Sequence, residues 1–63
     1  MKATIFLTYR DNSKVCFTYE CEEDESQALA TLMMVCRGTL MASSANLIVA
    51  YNEEGFDICS YTR

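Results

Sequence analysis

Two stretches near the N-terminus alternate between apolar or β-branched residues and polar ones. Residues 3–10 read ATIFLTYR and residues 14–21 read KVCFTYEC. A period of two is typical of a strand with one buried face. Asp11, Asn12 and Ser13 lie between the stretches and favour a turn, because short polar side chains bond their own backbone and tolerate left-handed conformations. The pattern predicts a β-hairpin.

The pattern then changes to a helical period. Apolar residues recur at offsets of three, four, seven and eleven, which places them on one stripe of a helix: Leu29, Leu32, Met33, Cys36 and Leu40. Asp24 is a candidate N-cap, and Gln27 three residues later completes a capping-box pattern. We expect a helix over residues 25–43. The alternative is an end at Gly38, where the glycine would be the first residue past the helix.

Two further strands are predicted after the helix, over residues 46–52 and 56–62. The segment between them contains Gly55, which suits the left-handed position of a bulged hairpin loop. If the helix returns the chain to the starting edge, the third strand can pair antiparallel with the first. The sequence therefore predicts an α+β fold of the ββαββ type, a four-stranded antiparallel sheet in the order 2-1-3-4 with one helix on one face.

One helix can cover only one face of this sheet, so alternation divides the strand residues into two sets. We expect the helix to pack on Ile5, Leu7, Val15, Phe17, Leu47, Val49 and Ile58. The opposite face is then predicted to carry Thr4, Phe6, Thr8, Cys16, Thr18, Ile48, Ala50, Cys59 and Tyr61. A solvent-facing side of an antiparallel sheet is usually polar, and this one is rich in apolar groups.

Length and charge limit the partners. The 63 residues suffice for one domain, and 51% of them are apolar, which is enough for a packed core. A net charge of −4 argues against direct nucleic-acid binding, which requires a basic surface. No apolar run reaches the roughly 20 residues of a membrane span. The N-terminal residues lack the signal-peptide pattern, so we expect a cytoplasmic location.

The chain offers little for catalysis or metal binding. It has four cysteines, Cys16, Cys21, Cys36 and Cys59, but no histidine and no Cys-x-x-Cys pair. Apolar neighbours favour reduced thiols that pack as small hydrophobic groups, and a two-disulfide scaffold is the alternative. Without a histidine, no base is at hand to activate a nucleophile. We expect no metal, no cofactor and no enzymatic activity.

Acidic residues form two clusters. One surrounds the start of the helix and the other the last hairpin: Glu20, Glu22, Glu23, Asp24, Glu25, Glu53, Glu54 and Asp57. Carboxylates in a first helical turn are favoured by the helix dipole, and the others can simply be solvated. The alternative is a negative surface that docks on a basic groove of a partner, as nucleic acid would.

The sequence leaves three functional hypotheses. The first is a small acidic protein-binding module that inhibits or modulates a larger protein, as small phage and mobile-element proteins of this size and charge do. The second is a self-associating structural or regulatory domain that forms a homodimer through the sheet face opposite the helix, because an apolar patch on a small protein tends to mark an interface. The third is an accessory subunit of an enzyme.

Overall fold

The computed structural model describes all 63 residues and contains four strands and one helix. The strands are β1 (Lys2–Thr8), β2 (Lys14–Glu20), β3 (Leu47–Tyr51) and β4 (Asp57–Thr62), and the helix α1 spans Glu25–Ala42 between β2 and β3. The sheet is antiparallel throughout, in the order β2-β1-β3-β4. The predicted α+β class, the ββαββ arrangement and the strand order are confirmed.

Both hairpin turns place a residue at positive φ. Asn12 has φ of 69° in the first turn, where the Tyr9 N–H donates to the Ser13 carbonyl at 2.9 Å. The Asp11 carboxylate accepts from the Ser13 hydroxyl and N–H, and these bonds lower the pKa of Asp11. Gly55 has φ of 89° in the second turn, as its position in the loop predicts.

Helix α1 begins at a capped end. The Asp24 carboxylate accepts from the Gln27 backbone N–H at 3.0 Å, so the predicted N-cap is correct. The second half of the capping box is replaced by the Ser26 hydroxyl, which donates to the same carboxylate. The helix passes through Gly38 without a break, because a single internal glycine weakens a helix by only about 1 kcal/mol relative to alanine.

Residues on one stripe of α1 pack on the sheet. The buried helix residues are spaced by four, and the core consists mainly of them and of inward residues from the two central strands: Ala3, Ile5, Leu7, Leu32, Cys36, Leu40, Ala45, Ile48 and Ala50. Met33 was predicted to be in the stripe but is 41% exposed. Residues 28, 32, 36 and 40 span about 120° of the helix at about 100° per residue, and Met33 falls just beyond that arc.

The predicted faces are wrong for β3 and for Cys59 and Tyr61 of β4, whereas Ile58 of β4 packs against the core as predicted. Ile48 and Ala50 are fully buried beneath the helix, and Cys59 and Tyr61 of β4 pack against the same core. Directly paired residues of neighbouring strands point to one side, and Ile48 pairs with Leu7 on the buried side. It is Leu47 and Val49 that point away from the helix.

The error has a physical reason. Strand β3 is apolar at every position (LIVAY), so its pattern does not distinguish one face from the other. The connection from α1 determines which face of β3 is buried. Ala45 in that connection is buried, and the Asn46 N–H donates to the Thr8 carbonyl at 2.8 Å. A shift of one residue in a strand exchanges all of its inward and outward side chains.

Candidate functional site

The sheet surface opposite the helix is the most extensive surface that no element covers. We call it the helix-free face. Three strands contribute Thr4, Phe6, Thr8, Cys16, Thr18, Leu47, Val49 and Tyr51, and β4 adds Ser60 and Thr62, which pair with Val49 and Leu47. The β1 and β2 residues are those that sequence alternation places there. On β3, Leu47, Val49 and Tyr51 point outward where the sequence had assigned Ile48 and Ala50; on β4, Ser60 and Thr62 do so where it had assigned Cys59 and Tyr61.

The centre of the helix-free face is a shallow apolar groove. The Phe6 and Tyr51 rings meet edge to face, with centroids 5.7 Å apart and planes at 80°. The groove has a volume of about 540 Å³ and continues past Asn52 and Glu53 into the β3–β4 turn. Aromatic pairs of this geometry hold each other in place. A partner would therefore meet a preformed apolar surface.

Charged side chains on the helix-free face lie at its two ends. At one end, Lys2 and Glu20 pair across β1 and β2 with Nζ and Oε1 3.7 Å apart. At the other end Lys14 stands opposite Thr8. The Lys2–Glu20 side chains are largely exposed, and such pairs add little to stability.

The two acidic clusters lie at one end of the molecule. Glu23 and Glu25, next to the start of α1, line a cleft together with Glu53 and Glu54 of the β3–β4 turn. Glu22 lines the neighbouring cleft, again with Glu53. Strand β2 ends at Glu20 and strand β4 begins at Asp57, both at this edge of the sheet. We call this surface the acidic end, and it contains eight of the nine carboxylate side chains: Glu20, Glu22, Glu23, Asp24, Glu25, Glu53, Glu54 and Asp57.

The carboxylates of the acidic end are not equivalent. Asp24 caps the helix N-terminus, and the hydrogen bonds that its carboxylate accepts from the Gln27 N–H and the Ser26 hydroxyl lower its pKa. Burial raises the pKa of Tyr19 nearby, and Cys21 and Glu23 add to the effect. Among the glutamates of the clefts, Glu20 forms an ion pair with Lys2, and the others have no ion-pair partner.

The opposite end carries basic side chains. Arg10 and Arg63 line a cleft there with Asp11, and Lys14 begins β2 at the same edge. Arg63 is already engaged: its guanidinium donates to the carbonyls of Leu40, Ser43 and Ala45, with the Ala45 bond at 2.9 Å. We call Arg10, Lys14 and Arg63 the basic end. The molecule is therefore electrically polar along its strands.

Two of these features have no signal in the amino-acid sequence. Helix α1 has no basic residue in its last turn, and the cation that meets its C-terminal carbonyls comes from Arg63 at the end of β4. Leu47, Val49 and Tyr51 were missed as surface residues because β3 is apolar on both sides. Both the Arg63 contact and the outward face of β3 depend on how the strands pair with one another.

The outer surface of α1 is a second exposed region. Met34 and Met41 are each 75% exposed there. The Arg37 guanidinium lies 5.8 Å from the centre of the Tyr61 ring, an arrangement that holds the end of β4 against the helix. The two methionines are isolated from the helix-free face, which makes them suitable positions for control substitutions.

No group of three or more Cys, Asp or Glu side chains is placed to hold a metal ion. Helix α1 lacks the length and hydropathy to cross a membrane. No protein-family model, no curated protein and no solved structure matches this chain.

Proposed function

We propose that this protein is a non-enzymatic protein-binding module that inhibits or modulates a larger protein by covering part of its surface with the helix-free face. The observation that carries the proposal is the apolar centre of that face, in which Phe6, Val49 and Tyr51 stand on a sheet with no second layer. An uncovered apolar patch on a small protein tends to mark an interface.

The size of the face limits how it can be used. Four strands of five to seven residues cover roughly 400 Å², at about 4.8 Å between strands and about 3.4 Å per residue. A stable interface buries about 800 Å² on each partner. A tight complex must therefore extend past the sheet. Asn52 and Glu53 line both the groove and the acidic clefts, so the acidic end is the adjoining surface.

The partner surface that fits has an apolar strip beside a basic patch. The apolar strip would seat on Phe6 and Val49, and the basic patch would meet Glu53 and Glu54. Apolar burial would supply most of the affinity, and charge would steer association and fix the orientation. The chain has no histidine, and its four thiols are unpaired, which supports a binding role in a reducing, cytoplasmic setting.

The test is differential capture from a lysate of the native host. The immobilised protein is compared with a Phe6→Glu variant and with a Met34→Glu control, which places the same charge on the outer surface of α1. A specific host protein retained by the wild type and by the control, and lost with Phe6→Glu, supports the proposal. Equal retention by all three, with folding verified by circular dichroism, contradicts it.

A second copy of the chain is the other candidate partner, and the charge distribution favours it. Lys14 and Glu20 stand at opposite ends of β2, and both lie on the helix-free face. A two-fold axis that runs across the strands would place each Lys14 against Glu20 of the second copy. It would also lay the acidic end of each copy over the basic end of the other. A homodimer of this kind has the small area estimated above and should be weak.

Sedimentation velocity at high micromolar concentration tests the dimer. Lys14→Glu and Glu20→Lys should each weaken association, and the two changes together should restore it, because the pair is then reversed in both copies. A monomer at every concentration contradicts the dimer but leaves the capture experiment as the test of a different partner.

A further inference from the structure

The one contact between two thiols in the molecule joins α1 to β4. Cys36 lies on the buried stripe of the helix, and Cys59 lies on the inward side of the edge strand. Their Sγ atoms are 3.7 Å apart, although the residues are 23 positions apart in the chain. Cys16 is exposed on the opposite side of the sheet, and Cys21 instead accepts a bond from the Glu23 N–H at 3.4 Å.

We infer that Cys36 and Cys59 form an intramolecular disulfide when the protein meets a small disulfide oxidant such as oxidised glutathione, and that this bond fixes the helix to the edge strand. The inference does not depend on the proposed binding function. The two sulfurs are already in contact at 3.7 Å, so they must approach by less than about 2 Å to reach the S–S bond length of about 2.05 Å.

The chemistry is a pair of thiol–disulfide exchanges. The half-buried Cys59 thiolate attacks oxidised glutathione, forms a mixed disulfide and releases one glutathione thiolate. The Cys36 thiolate then attacks the Cys59 sulfur and releases the second. Two protein thiols are oxidised, one small disulfide is reduced to two thiols, and the two protein protons pass to the departing thiolates.

Burial controls the rate of the second exchange. Burial of Cys36, followed by the neighbouring Cys59, raises the pKa of the Cys36 thiol to about 12. Because the thiolate is the attacking species, ring closure should be slow at neutral pH and should accelerate about tenfold per pH unit below that pKa. Slow closure is the behaviour of a bond that forms under sustained oxidation.

The cross-link should have a large effect on so small a domain. Joining residues that are 23 positions apart restricts the unfolded chain. The expected rise in melting temperature is about 10–20 °C, from the loop-closure entropy of such a link and the sensitivity of a domain of this size. The link lies on the helix side of the sheet, so binding through the helix-free face should be unchanged.

The experiment is oxidation with oxidised glutathione, followed by peptide mapping and thermal unfolding with and without a reductant. The inference predicts a monomer lighter by two hydrogen atoms, a Cys36–Cys59 linked peptide, and a rise in melting temperature that dithiothreitol reverses. As a control, a Cys16→Ser, Cys21→Ser double variant should show the same mass change, the same linked peptide and the same rise in melting temperature as the wild type. Cys59→Ser should lose all three effects, and Cys36→Ala is a second variant should the first fold poorly. Stable glutathione adducts alone, a different pairing, or an unchanged melting temperature would overturn the inference.

Discussion

At the residue scale, the two glycines serve opposite purposes. Gly38 lies inside α1, and a methyl group added there would meet no atom within 4 Å. Gly55 has φ of 89° in the β3–β4 turn, a conformation that L-residues with a side chain rarely adopt. Glycine is therefore a conformational requirement at Gly55 and only a weakness at Gly38.

The same substitution at the two positions should have opposite effects. Gly38→Ala should stabilise the protein by about 0.5–1 kcal/mol, because alanine favours the helix and restricts the unfolded chain. Gly55→Ala should destabilise it by about 1–2 kcal/mol, because the turn would hold alanine in a strained backbone conformation. Urea unfolding of the two variants measures both values. A loss of stability in Gly38→Ala would show that the helix is interrupted there.

At the element scale, α1 depends on groups at both of its ends. Asp24 supplies the N-terminal acceptor, and Arg63, from a distant part of the chain, donates to the Leu40 carbonyl in the last turn and to the carbonyl of the C-cap Ser43. The first could be predicted from the sequence because a cap and its donor are three residues apart. The second could not, since it depends on where β4 ends relative to the helix.

The Asp24 cap should make stability depend on pH. Its hydrogen bonds lower the pKa of Asp24 in the folded state from the usual 3.8. The stabilisation is therefore present above that value and is lost as the pH falls through the lower, folded-state pKa.

Asp24→Ala should lower the melting temperature at pH 7 by about 4–8 °C, the usual effect of losing a cap in a domain of this size. Asp24→Asn retains a cap that does not titrate. The advantage of the wild type over Asp24→Asn should therefore shrink as the pH falls below 4, and thermal melts between pH 2 and 7 measure it. A difference that is constant with pH would exclude the charged cap.

Local patterns predicted most of the elements, and contacts distant in sequence set the rest. Alternation identified the inward residues of β1, because Thr4 and Thr8 separate its two faces chemically. The same method failed for β3, whose LIVAY sequence is equally compatible with either face. The buried Ala45 and the Asn46–Thr8 hydrogen bond decide between them, and neither is visible without the fold.

At the scale of the whole molecule, one helix and one sheet leave two kinds of surface. The helix side is closed around the core, whereas the helix-free face carries apolar and aromatic groups between an acidic end and a basic end. Residues 1–63 form a thin body with extents of 36 × 21 × 14 Å, in which a single helix covers one side of the sheet. We therefore propose that face as the binding surface.

The neighbours Ile48 and Val49 separate folding from binding in one strand. Ile48 is fully buried, so Ile48→Glu should unfold the protein by placing a charge in the core. Val49 lies on the helix-free face, so Val49→Glu should fold and expose its charge to a partner.

The most direct test is capture of the host partner by Val49→Glu, with its thermal melt recorded on the same sample. We predict that Val49→Glu melts cooperatively at a temperature close to that of the wild type and captures at least tenfold less partner. Undiminished capture by a folded Val49→Glu would contradict the assignment of the helix-free face as the binding surface.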